Sequence, residues 1–328
     1  MTNERGDREL VRRLVERRVI PDGSHASVQR LPGGVSADVI EIRFDGRRIV
    51  AKRALPQLRV AQQWRCSPER VLLEAAALDV ARSIRPANVP AVLDVDDAQL
   101  VLVMAAAPPD GANWKLQLLS GVIDVALAAS LGEALAEWHT KSVADKSVLS
   151  TFTKGGHFFE LRIDPFFLRV AQVHPDLSGE IRGVVDRMTR RAMCLVHGDF
   201  SPKNVLVGSG WFWVLDWETA HIGDPTFDLA FLVSHLVLKA IRRPEDAEVY
   251  RDCSNAFLAT YLGASGVALN QMDLVCQVGC LVLARVDGKS PVDYLDASGK
   301  TRARQLGRAV LSEGATDLAE IWSGLTSP

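Results

Sequence analysis

Hydrophobic and polar positions recur along this chain in two regimes, and the change between them divides the sequence. At the start, Leu10, Leu14 and Val15 fall on one side of a helix predicted over 9–20. Short strand-like runs follow at 27–30, 38–44 and 48–53, with Leu31-Pro32-Gly33-Gly34 and Asp45-Gly46 as the turns between them. Ser67, Pro68 and Glu69 give a helix start, and that helix runs to about Ser83, where Pro86 and Pro90 end it. Strand-like runs return over 92–104 and stop at Pro108-Pro109-Asp110-Gly111. Beyond that point the period is mainly helical, as in the stripe Leu127, Leu131, Leu135 and Trp138. Strands interrupt it at 193–196, 205–207 and 211–215, after which helical patterns cover 227–241, 247–262 and 274–285. The expected fold class is α+β, with a small strand-rich lobe over 1–106 and a larger, mainly helical lobe over 107–328.

Composition narrows the function classes. The chain has 328 residues, long enough for two packed lobes. Its 38 basic and 40 acidic residues give a formal charge of −2, without the basic excess of a nucleic-acid binder. The polar start Met1-Thr2-Asn3-Glu4-Arg5 is not a secretory signal, and the apolar runs are too short for a membrane span. A cytoplasmic protein is expected, as monomer or homodimer, with no membrane partner. Cysteines 66, 194, 253, 276 and 280 include no Cys-x-x-Cys pair and read as reduced, mostly buried thiols.

The chemistry is concentrated between Leu195 and Asp216. An apolar strand delivers His197-Gly198-Asp199 into a loop, Asn204 follows Asp199 by five positions, and a second strand delivers Asp216. Phosphoryl transfer needs a carboxylate to orient the attacking hydroxyl and accept its proton, and oxygen donors to hold Mg²⁺ against the phosphates. Asp199, Asn204 and Asp216 supply that set in the order and spacing of a kinase catalytic loop. Either Asp199 or Asn204 alone would read as a turn residue.

The segments His197-Gly-Asp-Phe-Ser-Pro-Lys-Asn204 and Val214-Leu-Asp-Trp-Glu-Thr-Ala220 resemble the aminoglycoside phosphotransferase and choline kinase superfamily, which also contains methylthioribose kinases. The resemblance implies a protein-kinase-like bilobal fold with ATP at the hinge. It makes Asp199 the catalytic base and Asn204 and Asp216 magnesium ligands. Glu218 is either a further metal ligand or a solvated strand-end acid. Lys203 either approaches the γ-phosphate or sits on the loop surface. His197 is expected to prop the loop. Asp228 is expected to brace it, or to sit in a helix first turn for its dipole.

An ATP site also needs a small-lobe lysine and an acid to hold it. Lys52 ends a run, Arg48-Ile49-Val50-Ala51-Lys52, that resembles the kinase lysine strand. Glu74 interrupts the apolar stripe Val71 to Leu78, where a lone carboxylate is costly without a partner such as Lys52. Gly33, Gly34, Val35 and Ser36 stand where a phosphate-covering loop belongs, and an ordinary hairpin would look the same. Val101 to Ala106, with Met104, is the expected adenine-binding hinge.

Twelve positions between Asp216 and Asp228, with no Ala-Pro-Glu after them, leave little room for a peptide-presenting segment. A small hydroxylated acceptor is expected, such as an aminoglycoside, a sugar or a related metabolite. Its wall is sought at Arg285, Asp287, Lys289 and Asp293, and at Arg162, although a helix cap with solvated charges has the same composition. The mixed charge over 242–300 speaks against a polycation. The alternative is a pseudokinase-like module that binds nucleotide and acts through a partner.

Overall fold

The computed structural model describes residues 2–32, 34–60, 63–153 and 156–326. Five strands, β1 (Ser27–Arg30), β2 (Ala37–Phe44), β3 (Arg47–Ala54), β4 (Val92–Asp96) and β5 (Val101–Ala105), form an antiparallel sheet in the order β1-β2-β3-β5-β4. Successive side chains on a strand point to opposite faces, so the alternation in the sequence sorts them. Ile49 and Ala51 lie on the face covered by α1 (Thr2–Glu16), in a cluster with Leu10, Leu14, Ile40, Ile42 and Val103. Lys52 belongs to the other face, over which α2 (Arg70–Ile84) lies with Val71, Ala75 and Leu78 in the main core.

The larger lobe is built from α3 (Trp114–Leu119), α4 (Val125–Ser142), α5 (Lys146–Thr151), α6 (Gly156–Phe158), α7 (Arg169–Val173), α8 (Ser178–Thr189), α9 (Thr226–Arg242), α10 (Ala247–Ser265), α11 (Gln271–Asp287), α12 (Ala297–Ser312) and α13 (Leu318–Thr326). Side chains cap several of these: Asp124 accepts from the Ala126 and Leu127 amides at 2.9 and 3.2 Å, and Asn270 from that of Asp273 at 3.3 Å. Helix α4 lies directly on α10, because Gly132 has no side chain; a Cβ there would stand 2.3 Å from the Phe257 carbonyl oxygen. Helix α9 is buried at every position from Thr226 to Ile241, including Lys239. Between α6 and α7 the chain makes wider, π-type turns over Phe159–Leu168, with Pro165 inside them.

Two small sheets carry the catalytic segment. β7 (Cys194–Val196) pairs with β10 (His221–Gly223), and β8 (Val205–Gly208) lies between β6 (Ala112–Asn113) and β9 (Trp211–Val214). The α+β, two-lobed architecture expected from the pattern is the one observed, with adjustments. Helix α2 begins at Arg70 rather than Ser67, although the Ser67 hydroxyl still accepts from the Glu69 amide at 3.3 Å. Met104 is no free hinge residue: it is paired with Val50 and Val92 inside the sheet, and the chain leaves the ladder only after Ala105. Among the described residues, no helix is long and apolar enough to cross a membrane.

Candidate active site

The loop from His197 to Asn204 is held by one buried carboxylate. Asp228, in the first turn of α9, accepts from the backbone amides of His197 at 2.7 Å and Gly198 at 2.8 Å. Its other neighbour is His139 Nε2 at 3.2 Å, and His139 Nδ1 meets the Tyr261 hydroxyl at 2.9 Å. Burial pushes the Asp228 carboxyl up, but these hydrogen bonds outweigh it and its pKa lies below the ordinary carboxylate value. Asp228 therefore does the bracing expected of it. Gly198 sits at φ +76°, and a Cβ there would stand 2.7 Å from the Thr219 carbonyl oxygen.

His197 props the loop from within. Its Nδ1 accepts from the Asp199 amide at 3.1 Å, so Nε2 carries the proton and donates to the Leu215 carbonyl at 3.0 Å. Burial lowers its pKa, which keeps the ring neutral in this arrangement. Leu215 precedes Asp216, and the backbone of Asp216 is left-handed, at φ +67°. An L-residue there costs about 1–2 kcal/mol. The strain aims the carboxylate back at Lys52.

Asp199 lies in the turn after β7. Its Oδ2 is 2.9 Å from Arg162 Nη2, 2.8 Å from Lys203 Nζ and 2.9 Å from Asn204 Nδ2, which also donates to the Asp199 carbonyl at 2.9 Å. Burial alone would raise its pKa; Arg162 and Lys203 more than offset that, and the carboxyl is held below its usual range. With its nitrogen committed, Asn204 has Oδ1 left to accept or to ligate.

Across the cleft, Lys52 Nζ donates to Glu74 Oε1 at 2.8 Å and pairs closely with Asp216. Burial pulls the lysine pKa down, and Asp216 and Glu74 together push it well above its ordinary value. The same lysine holds the Asp216 carboxyl down against burial. Carboxylate oxygens of Glu74, Asp216 and Glu218 lie within 4.8 Å of one another, a donor set that suits a hard divalent cation.

Glu218 has a partner that sequence reasoning missed. Arg70, fully buried, donates Nε to Glu218 Oε2 at 2.9 Å, Nη1 to the Ser67 carbonyl at 2.8 Å, and Nη2 to the carbonyls of Ser36 at 2.6 Å and Leu55 at 2.9 Å. One guanidinium thus ties α2, the end of β3 and the Gly34–Ser36 turn to Glu218. In that turn a Cβ on Gly34 would stand 2.4 Å from the Ala37 carbonyl oxygen, and the Val35 carbonyl accepts from the Arg59 amide at 2.9 Å. Gly33 lies outside the described residues. The signal for Arg70 was its spacing of four from Glu74 on a helix with an apolar stripe.

A cleft of about 880 Å³ opens over Asp199. Val35 and Ser36 line it from the small lobe, and Arg162, Lys203, Arg285, Lys289 and Asp293 from the large one. The acceptor-wall residues separate here. Arg162 is bound to Asp199 and, through Nε at 2.7 Å, to the Gly198 carbonyl, so it belongs with the base. Asp287 is committed to Arg304 at 2.7 Å and His174 at 2.9 Å. Lys289 pairs with Asp164 at 2.6 Å, and Asp293, largely exposed, with Lys115 at 3.2 Å. Arg285 has no carboxylate partner among the described residues.

Residues 27–267 match the phosphotransferase enzyme family, nearly three-quarters of the chain. The chain belongs to that family. A curated relative, the methylthioribose kinase of Pectobacterium atrosepticum, is 27 % identical over 327 residues, covering 82 % of this chain and 81 % of its own. Among solved structures, a choline/ethanolamine kinase family protein from Mesorhizobium loti superposes with a TM-score of 0.55 at 16 % identity, over 97 % of this chain and 98 % of its own. The amicoumacin kinase hAmiN, bound to AMP-PNP, Ca²⁺ and Ami, gives 0.59 at 14 % identity, over 97 % and 98 %. As a member of the phosphotransferase enzyme family with this site intact, the chain is an ATP-dependent kinase of small hydroxylated molecules.

Proposed function

We propose that the chain moves the γ-phosphoryl group of ATP onto a hydroxyl of a sugar-sized acceptor, held in the cleft against Asp199. The reading is carried by the position of the Asp199 carboxylate, on the wall of the cleft and 2.9 Å from the Asn204 amide. Asp199 orients the acceptor hydroxyl and takes its proton, while Arg162 and Lys203 keep the carboxylate ionised and fixed. Lys52 holds the phosphates of ATP, with Glu74 behind it, and the turn at Gly34–Ser36 covers them. The division at 106/107 then separates a nucleotide-binding lobe from one that brings catalytic loop and acceptor together.

Mg²⁺ fits the donors present: Asp216 is held ionised, Asn204 has a free amide oxygen, and Glu218 lies close enough to Asp216 to serve as a further ligand. Bound there, the ion would neutralise charge on the transferring phosphates. Asp287 and Arg162 are read as structural and base-positioning residues, leaving Arg285 as the principal acceptor contact.

The acceptor is not a polycation. Each acid of the cleft already has a cation: Asp199 has Arg162 and Lys203, Glu218 has Arg70, Asp287 has Arg304, and Asp293 has Lys115. An aminoglycoside would find no free carboxylate to receive its ammonium groups. Methylthioribose, the substrate in the name of the Pectobacterium relative, heads the acceptors to test. ADP formation should be measured with methylthioribose, ribose, other sugars and kanamycin, using wild type and Asp199→Asn. Acceptor-dependent ADP formation that needs Asp199 is the expected result. Turnover that is equal in Asp199→Asn, or confined to kanamycin, would sink this reading.

A further inference from the structure

Positive charge gathers along one side of the cleft, where Arg285 and Lys115 line it and Tyr294 and Lys239 pack beside Lys115. Lys239 of α9 is completely buried, yet its ammonium group meets only the His235 carbonyl, at 3.3 Å, among the described residues. It lies 5.5 Å from the centre of the Tyr294 ring, and Lys115 lies 5.6 Å from the same centre. Arg285, in the last turn of α11, gives Nη1 to the Ser290 hydroxyl at 3.1 Å and packs its guanidinium 5.7 Å from the Phe166 ring centre. Its Nε is buried with no acceptor among the described residues, and so is the Tyr294 hydroxyl. Leaving such a donor unmatched costs about 1–3 kcal/mol. Of the acids that act on Arg285, Asp199 is held by Arg162 and Lys203, and Asp293 is exposed and taken by Lys115.

A helix C-terminus favours a basic residue, and Arg285 and Lys239 both stand in the last turns of their helices, α11 and α9. A helix end explains a basic residue there but not its complete burial, which leaves Lys239 one hydrogen-bond acceptor, the His235 carbonyl, among the described residues. Burial and the neighbouring Lys115 and Arg285 lower the Lys239 pKa to about 7, so these cations disfavour one another. Such a group is stable when an anion joins it.

Resting on the phosphotransfer reading above, we propose that the acceptor carries an anionic group, a carboxylate or a phosphate ester, bound by Arg285 and the Tyr294 hydroxyl. A guanidinium offers parallel donors to either anion, and a phenol adds a third without a further charge. Lys115 and Lys239, on the Tyr294 ring, strengthen the positive field there. The acceptor's hydroxyl end then faces Asp199, and its charged end is held away from the transferring phosphate, which also has to be kept apart from like charge.

The test uses the whole chain saturated with Mg·AMP-PNP, so that the nucleotide's phosphate positions are filled. Calorimetric affinities are compared within two matched pairs, ribose against ribose 5-phosphate and glucose against gluconate, with methylthioribose as a further neutral probe. The charged member of at least one pair should bind tenfold or more tightly than its neutral partner. Arg285→Met should erase that preference, so that the charged and neutral members of each pair bind alike. Tyr294→Phe, which removes only the hydroxyl, should reduce it three- to tenfold and decides the matter if Arg285→Met does not fold. Equal or weaker binding of both charged members, or a preference that survives both substitutions, overturns the anionic subsite. Asp199-dependent ADP formation is read separately on the same probes. Anion binding with no ADP formed from any acceptor would overturn phosphotransfer and leave the subsite standing. Turnover of neutral sugars alone, unaffected by Arg285→Met, would do the reverse.

Discussion

Arg162 Nη2 stands 2.9 Å from Oδ2 of Asp199, and the same guanidinium donates Nε to the Gly198 carbonyl. The arginine therefore fixes the carboxylate and the loop that carries it. Arg162→Met should lower kcat by roughly ten- to a hundredfold, as expected when a reacting group loses its orientation. It also removes the strongest influence holding the Asp199 pKa down. The acid limb of the pH–rate profile should move to higher pH, while Mg·AMP-PNP affinity stays constant. An unmoved acid limb would separate Arg162 from the base.

Asp199→Asn keeps the shape of the side chain and removes its basicity. Loss of about 10²–10⁴ in kcat is expected, with nucleotide binding unchanged by calorimetry. Lys52→Ala should act in the opposite sense, raising the KM for ATP and leaving Glu74 and Asp216 to repel each other.

Much of this was legible in the sequence. The strands and their turns could be read because alternation has a period of two and the turns carry glycine. The loop Asp199, Asn204 and Asp216 was visible because a catalytic spacing is local in sequence. Lys52 and Glu74, 22 positions apart, were linked through the cost of a carboxylate in an apolar stripe. Arg70 escaped because an arginine in a helix first turn usually faces water, and three of its acceptors, Glu218 and the carbonyls of Ser36 and Leu55, come from other segments. The turns at Phe159–Leu168 escaped because a proline normally ends a helical pattern. Helices α12 and α13 also escaped, the first being strongly basic on its outer face. Lys239 gave a signal that went unread: one lysine in the otherwise apolar run over 236–241.

Arg70→Met tests the buried pair with Glu218. Removing one partner leaves the other ionised and enclosed, at a cost of about 3–5 kcal/mol. Urea denaturation should show a loss of that size. Arg70→Met combined with Glu218→Gln should recover part of it, and equal stability of the single and double variants would argue against the pairing.

Acid should loosen the fold as a buried histidine takes up a proton. His221, stacked on Phe158, is held by burial at a pKa of about 4, against 6.5 for a free imidazole. Between those values the unfolded chain binds a proton that the folded chain does not, so stability is full above pH 6.5 and falls toward pH 4. Two and a half pKa units at about 1.4 kcal/mol each make this an effect on the order of 3 kcal/mol. Melting curves from pH 8 to pH 4 should show the decline, and His221→Phe should flatten it. His197, lowered in the same direction by burial, adds to that decline.

Gly198→Ala should be costly for two reasons at once, a positive φ and the Thr219 carbonyl 2.7 Å from the new Cβ. The turn that presents Asp199 would have to shift. We expect kcat to fall more than tenfold with secondary structure retained by circular dichroism; full activity would show that the turn can relax.

The ion pairs that cross from Lys52 to Asp216 and from Arg70 to Glu218 are made by the protein with itself. If Lys52 holds the phosphates as proposed, an arriving triphosphate must win it from an anion already in place, and a departing diphosphate leaves a lysine that Asp216 recaptures. Part of the attraction of the nucleotide is spent on exchanging partners. The protein can thus hold ATP more loosely than its charges suggest, and let ADP go without waiting for water to reach the lysine.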